Sequence, residues 1–513
     1  MVSAPAPPPG PPPAPKSATP LLAVELGDWV ARRASTHPDV VAVECGDERL
    51  TYRALDERAG TAAGHLVALG VVEGERVGLL HANGNDFAVF VHAITRAGAM
   101  CLPHNARLTA AEIAWQLRDA GVRFLVADAE HETLARAAAV EAGVTLIAAD
   151  DAAWRAGASI AGAAAIPAER PHSLIYTSGT TGRPKGAILT HGNFYWSAVA
   201  SAANLGVRAG DRWLACLPLF HVGGLSILLR SAIYGTTAVI HERFDEARAV
   251  HALREERVSL LSVVANMLQR MLALDDAPYP DTVRAVLLGG GPAPRTLLEA
   301  SAGRGLPVLQ TYGLTESTSQ VATLAPEDAL RKLGSAGLPL PGTTVRVEVD
   351  GRTAEAGEVG EILVAGATVF AGYLGRPEAT AEALRDGWLH TGDLGTLDEE
   401  GYLAIADRRD DLIVTGGENV YPAEVESAVL AFPGVEECAV VGLPDDRWGA
   451  LVVAVVVPSA GAALDEAALE AHLREWLAGY KRPRRVEVAA EALPRTASGK
   501  VQRHLVRARL LGQ

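Results

Sequence analysis

Thr177-Ser178-Gly179-Thr180-Thr181-Gly182-Arg183-Pro184-Lys185-Gly186 packs three glycines, four hydroxyl side chains and a lysine into ten residues. The run follows a β-like segment, Ser173-Leu174-Ile175-Tyr176. It precedes a segment from Thr190 to about Leu205 that reads as helix, which places it on a strand-to-helix connection. Glycines let successive backbone N–H groups turn toward one point, the hydroxyls add donors, and Lys185 adds a cation. That combination suits a polyphosphate. A flexible surface loop would account for the Gly, Ser and Thr content, but not for ten residues in this order. A Walker A loop requires Ser or Thr after its lysine to reach Mg²⁺, and Gly186 stands there instead, so a P-loop NTPase is disfavoured.

The rest of the chain supplies the setting. At 513 residues it exceeds one ordinary domain, and 49% apolar with 21% charged residues fits a globular protein with ample core. Its 46 Lys and Arg against 61 Asp and Glu leave a net charge of −15, which argues against a general nucleic-acid or anionic-membrane surface. An anionic ligand must therefore be held by local positive groups. Cys45, Cys101, Cys216 and Cys438 are far apart with no CxxC pair, and they read as reduced core thiols of a cytoplasmic protein. Residues 1–20 are Pro/Ala-rich without an apolar h-region, resembling a disordered lead-in more than a signal peptide. No run reaches the ~18 apolar residues of a membrane span.

From Leu21 to about Asp128 helix-like and strand-like segments alternate. Trp29 opens a helix, Val40 to Val43 is strand-like, Leu55 to Leu69 has helical spacing, and Arg76 to Leu80 and Phe124 to Ala127 read as buried strands. Such alternation means α/β architecture with largely parallel sheet. The Ala-rich stretch from Ala129 to Ala168 reads as helices and a loop. Beyond the glycine loop, an apolar strand ends in His221-Val222-Gly223-Gly224. A lone histidine there is more often structural than chemical. Arg230 stands at the end of an apolar helical stripe, as a solvated residue or as a buried anchor for a carboxylate. The turn Gly289-Gly290-Gly291 can lie flat against a planar ring. In Gln310-Thr311-Tyr312-Gly313-Leu314-Thr315-Glu316, Tyr312 offers a π-face, Thr315 a hydroxyl, and Glu316 a hard oxygen for Mg²⁺. On strand ends after a phosphate cradle, these mark a nucleotide cleft. Asp393, in what reads as a Thr-Gly-Asp turn, is either a turn former or a carboxylate accepting ribose hydroxyls.

These motifs, with Asp407-Arg408-Arg409-Asp410-Asp411 and Leu493-Pro494-Arg495-Thr496-Ala497-Ser498-Gly499-Lys500, resemble the signatures of the adenylate-forming superfamily of acyl-CoA synthetases, luciferases and peptide-synthetase adenylation domains. Matches run from about Trp29 to Gln502. The resemblance implies a large N-terminal domain of αβαβα-type sheets, 21–409, and a small mobile α+β domain, 410–513. It implies ATP, Mg²⁺ and CoA. In such proteins Thr177, Ser178, Gly179, Thr180, Thr181, Gly182 and Lys185 would hold phosphates, with Thr180 also catalytic. Gly289, Gly290, Gly291, Gln310, Tyr312, Gly313 and Thr315 would frame the nucleotide, and Glu316 would carry the metal. Asp393 and Arg408 would take the ribose, and His221 would border the nucleotide and acyl pockets. Asp410 matches the hinge, Gly416-Gly417 the turn that meets the pantetheine arm, and Lys500 the catalytic lysine bridging carboxylate and α-phosphate.

Within the superfamily, Leu217 to Arg230, Leu287 to Pro294, Gln310 to Gln320, Lys332 to Leu340 and Asp407 to Val425 look most like the o-succinylbenzoate-CoA ligases of menaquinone biosynthesis. In that group a basic residue at the position of Arg230 holds the succinyl carboxylate. Fatty-acyl, aryl and malonyl ligases share much of the same text. A nucleotide-binding relative without ligase activity is opposed by intact Glu316, Asp393, Arg408 and Lys500. A peptide-synthetase domain is weaker still, since no carrier module follows Gln513. The expected partners are a small carboxylic acid, ATP and CoA, with no nucleic acid, no membrane anchor and a homodimer left open.

Overall fold

The computed structural model describes residues 25–512, apart from 151, 178–183, 291, 292, 294, 408–411, 460–463, 490 and 495–500. Two large sheets dominate. One runs Gly372–Tyr373, Lys185–Thr190, Pro171–Thr177, Met100–Pro103, Arg76–Leu80, Phe124–Ala127 and Thr145–Ala148. The other has a parallel centre of Val41–Cys45, Thr237–Ile240, Arg212–Ala215, Leu260–Val264, Ala285–Gly289 and Val308–Tyr312, and continues into antiparallel strands from Ala322–Leu324 onward. Central strands such as Arg76–Leu80 are almost wholly apolar because helices cover both of their faces.

The layering follows from where those apolar faces meet. The largest core joins inner faces of both sheets, Val77 and Leu79 with Trp213 and Leu287, through the helices Tyr52–Ala68, Asn85–Arg96, His191–Leu205 and Val222–Tyr234. A second core lies under Glu246–Glu255, Ala265–Leu272 and Arg295–Gly303, and a third under Ala110–Asp119 and Glu132–Ala142. Helix, sheet, helix, sheet and helix therefore stack in five layers. From Ile413 onward the chain builds its own elements: a hairpin of Ile413–Thr415 and Glu418–Val420, a sheet ordered Val435–Asp445, Gly449–Pro458 and Arg485–Val488, and the helices Pro422–Leu430, Glu466–Trp476 and Arg503–Leu510, around separate cores. No described helix is long and apolar enough to cross a membrane.

Several local expectations change. The glycine loop joins two strands of a hairpin, not a strand to a helix: Lys185 pairs with Thr177 and Gly186 with Tyr176. Ala187, Ile188 and Leu189 extend the buried strand, and only then does Thr190 cap the next helix, its hydroxyl accepting from Asn193 N–H while the Asn193 side chain accepts from Thr190 N–H. The Ala-rich stretch hides a strand, Thr145–Ala148, which pairs parallel to Phe124–Ala127. The strand before His221 stops at Ala215, and His221 takes the position just before the helix Val222–Tyr234. Asp393 lies inside the strand Trp388–Leu397 instead of a turn. Gly392 at φ +71 and a register shift beside Leu394 bend the strand there.

Beneath the first sheet lies a buried polar cluster. Asp28 caps the helix Trp29–Thr36 through Ala31 N–H and also accepts from Arg96, which reaches on to Asp56. Next to it, His172 packs edge-on against His191 and against Phe194. Burial pushes His92 and His191 down to about 4, and His172 well below its usual value. These imidazoles are neutral when folded and titrate near 6.5 when unfolded. Stability is therefore fully present above about pH 6.5 and falls as pH drops below it, at up to ~1.4 kcal/mol per pH unit for each histidine. Urea unfolding at pH 7.5 and pH 5.5 checks this: the midpoint should fall on acidification, and a midpoint that holds or rises would refute it.

Candidate active site

A cleft of about 450 Å³ opens where the two large sheets meet the small domain. Thr177 and Lys185 enter it from the glycine-loop hairpin, and Thr315 and Glu316 from the turn after Val308–Tyr312. Asp393 comes from Trp388–Leu397, His221 from the N-terminus of Val222–Tyr234, and Glu418 from the small-domain hairpin. Residues from Pro103 to Lys481 thus share one space.

Glu316 is held from two sides: its Oε1 accepts from Tyr373 Oη at 2.8 Å and from Thr177 Oγ1 at 3.2 Å. The Lys185 ammonium lies 5.2 Å from the centre of the same Tyr373 ring. Cation, aromatic face and carboxylate are thereby fixed at the edge of the glycine loop. A lone carboxylate, with no group of three or more His, Cys, Asp or Glu able to hold a metal among the described residues, suits Mg²⁺, which completes its shell with water and phosphate oxygens. Tyr312 is buried, and its hydroxyl donates to Asp393 Oδ2 at 2.6 Å, fixing that carboxylate at the cleft wall. Gly313 must be glycine, since a Cβ there would meet the Ser319 carbonyl oxygen at 1.4 Å. Gln310 is buried behind it, its Oε1 accepting from Ala293 N–H at 3.4 Å. Gly289 ends its strand, and Gly290 follows with φ +85.

His221 meets a partner that the sequence did not single out. Glu418 Oε2 accepts from His221 Nε2 at 3.0 Å, and Glu418 Oε1 accepts from Arg107 at 3.0 Å. Burial works against the Glu418 charge, but the His221 hydrogen bond and the Arg107 and Lys481 charges outweigh it and hold the carboxyl below its usual range. The only local signal was a carboxylate directly after Gly416-Gly417. Those two glycines, at φ +57 and +83, make the two-residue turn of the hairpin, and Gly417 approaches Val264 of the large domain.

Arg230 is 3% exposed and is not among the residues lining the cleft. Its Nη2 donates to Ser197 Oγ at 2.9 Å, and Ser197 in turn donates to the carbonyl of Thr318, two residues beyond Glu316. Its Nε has no partner, and no carboxylate pairs with it among the described residues. Burial pushes the guanidinium below its ordinary range. Ser178, Gly179, Thr180, Thr181, Gly182, Gly291, Arg408, Asp410 and Lys500 lie outside the described residues.

A family model described as "AMP-binding enzyme" matches residues 30–374, and one described as "AMP-binding enzyme C-terminal domain" matches 424–500. The chain is 48% identical over 477 residues to the 2-succinylbenzoate--CoA ligase of Geobacillus kaustophilus, covering 93% of this chain and 96% of that one. Among solved structures it is 40% identical to the o-succinylbenzoate CoA synthetase of Bacillus subtilis. The match to a double mutant of that protein bound to its product analogue OSB-NCoA has a TM-score of 0.90 and covers 95% of this chain and 99% of that chain. The same protein with the acyl-adenylate intermediate OSB-AMP gives 0.74, covering 94% and 98%, and with ATP and magnesium ion 0.73, covering 94% and 99%. With the cleft, its strand-end residues and this extent of likeness together, the chain belongs to the AMP-binding enzyme family.

Proposed function

We propose that this protein joins 2-succinylbenzoate to coenzyme A in two steps that share one cleft. In the first, a carboxylate oxygen of the acid attacks the α-phosphorus of ATP, forming the acyl-adenylate and releasing pyrophosphate. In the second, the CoA sulfur attacks the acyl carbonyl, the thioester forms, AMP leaves, and the thiol proton passes to solvent or a base. Both partners of the first step are anions, so the site must concentrate positive charge where water is scarce. Lys185, the N–H groups of the glycine loop and Lys500 would supply it, and Glu316 would hold Mg²⁺, which would add positive charge beside the phosphates. The carboxylate of Asp393, set by Tyr312, suits the ribose hydroxyls. Residues 21–409 and 410–513 are the two moving bodies in this reading, with Asp410 as the hinge between them.

The observation that carries the choice of acid is Arg230: a buried guanidinium hydrogen-bonded to one serine and lying 5.8 Å from the centre of the Trp213 ring, lacking any carboxylate partner among the described residues. A buried cation without a counter-ion is costly, and a substrate with a second carboxylate supplies one. A monocarboxylic fatty acid would leave it uncompensated. The names of the similar ligases support the same acid. The higher TM-score to the OSB-NCoA complex supports reading this arrangement, with the Gly416-Gly417 turn beside the large domain, as that of thioester formation.

Pyrophosphate release with ATP, CoA and a panel of acids tests the assignment. The rate should be highest with 2-succinylbenzoate, and preference for a fatty acid would overturn it. Arg230→Met, which keeps the volume while removing the charge, should raise KM for the diacid about a hundredfold and leave KM for ATP unchanged. Equal effects on both would remove the assigned role. Lys500→Ala should abolish most adenylation yet leave thioester formation from preformed acyl-adenylate largely intact. Loss of both half-reactions together would make that lysine structural.

A further inference from the structure

Along the wall of the same cleft, which Tyr480 and Lys481 help to line, a second ionic cluster spans the two domains. Lys481, on the segment after helix Glu466–Trp476, is 5% exposed at its side chain, and its Nζ donates to Glu424 Oε1 of its own domain at 2.7 Å and to Glu112 Oε1 of the large domain at 2.8 Å. Glu112 already has a place in the helix Ala110–Asp119. It is the third helical residue, and its Oε2 accepts from Thr109 N–H at 2.8 Å and Thr109 Oγ1 at 2.9 Å while Thr109 Oγ1 accepts from Glu112 N–H. The capping box thus fixes one carboxylate oxygen and aims the other at Lys481. Around it the contact is close: Ala478 is buried in the core beneath that helix, and Asn105 donates to Tyr480 Oη at 3.2 Å.

The asymmetry of the triad is informative. Lys481 and Glu424 travel together in the small domain, so their pairing persists wherever that domain sits. Glu112 belongs to the other body, and its bond to Lys481 exists only when the domains are arranged as seen here. Two carboxylates share one ammonium in a buried place, where water cannot screen them. Burial and the nearby Glu112 raise Glu424 above the usual carboxylate range, although Lys481 opposes this. Burial likewise works against the Lys481 charge, but Glu424 and Glu112 hold it above its ordinary value. The lysine therefore stays charged and is shared between one carboxylate of each domain. Such a contact attracts the small domain without locking it.

We infer that Glu112 and Lys481 form a latch between the domains that favours the thioester-forming arrangement, which makes Lys481 a positioning residue for the CoA half-reaction. This rests on the ligase reading above. Because CoA binds only the arrangement the latch favours, weakening the latch lowers the competent fraction and raises the apparent KM for CoA in proportion. The adenylation step, which uses the other arrangement, does not depend on it.

Glu112→Gln is the decisive variant, because glutamine is accepted at this capping-box position and the helix keeps its cap. Pyrophosphate release from acid and ATP without CoA should stay within about twofold of the parent, while KM for CoA rises about tenfold or more, the scale of a lost charge-assisted hydrogen bond, and KM for ATP does not move. Lys481→Gln should show the same CoA-specific change, and adding Glu112→Gln to it should cost nothing further. An unchanged KM for CoA, a parallel slowing of pyrophosphate release, or additive losses in the double variant would each overturn the latch while leaving the ligase reading intact. If the parent protein releases no pyrophosphate with the diacid, the ligase reading fails and the latch falls with it.

Discussion

Repulsion between two anions sets the terms for this molecule. A carboxylate will not approach a triphosphate in water unless positive charge is placed between them, and the chain as a whole carries −15. The cations must be local and few. Lys185 sits against the Tyr373 ring at the rim of the glycine loop, and Tyr373 also anchors Glu316. One aromatic residue thereby sets the distance between the loop's cation and a carboxylate suited to the metal. Arg230 is buried without a carboxylate partner among the described residues, where low dielectric makes an unpaired charge costly. That burial costs stability, and the hydrogen bond to Ser197, which goes on to the Thr318 carbonyl, and the Trp213 ring 5.8 Å away offset part of it.

What could be read from residues alone depended on how local the cause was. Arg76–Leu80 and Phe124–Ala127 were legible to the residue, because a strand buried on both faces is a short apolar run, whereas the equally apolar run before His221 lies beyond its strand's end at Ala215. Thr145–Ala148 was not, because its alanine-rich surroundings have helix propensity and only pairing with a neighbouring strand decides the matter. The glycine loop showed its chemistry but not its connection. Gly186, Ala187, Ile188 and Leu189 carry no strong strand pattern, and the hairpin is set by partners on Pro171–Thr177.

Partnerships across the chain were the least legible. His221 was visible as a candidate, yet its hydrogen-bond partner, Glu418, lies 197 residues away. Arg107, which binds the other oxygen of Glu418, lies 311 residues from it. No periodicity or motif links positions at such range, since each is locally an ordinary surface-type residue. Only the folding of two bodies onto each other makes one acidic side chain the shared partner of a histidine and an arginine. The same holds for Glu112, whose local role as a helix cap gives a complete account of it until the small domain is placed alongside.

The character of that contact follows from what the reaction asks of it. In the two-step reading proposed above, one cleft would host adenylation and then thioester formation, and the small domain would hold each arrangement briefly and leave it. A broad apolar interface, at roughly 25 cal/mol per Å² removed from water, would fix one arrangement too firmly to exchange. The observed contacts are instead mostly polar: Glu418 with His221 and Arg107, Lys481 with Glu112, Asn105 with Tyr480, and Asn266 with the Arg447 carbonyl. Among the described residues, the apolar part of the contact is confined to Ala478 and the Tyr480 ring, which pack on the large domain's third core. Each polar contact contributes on the order of 1 kcal/mol net, because water takes over its groups on separation. A handful of them selects a geometry to within a hydrogen-bond length while leaving the balance between arrangements within reach of what a bound nucleotide or CoA supplies. In that reading, directional bonds of modest strength around a small apolar patch would reconcile accurate placement with turnover, where a broad leucine-lined interface would not.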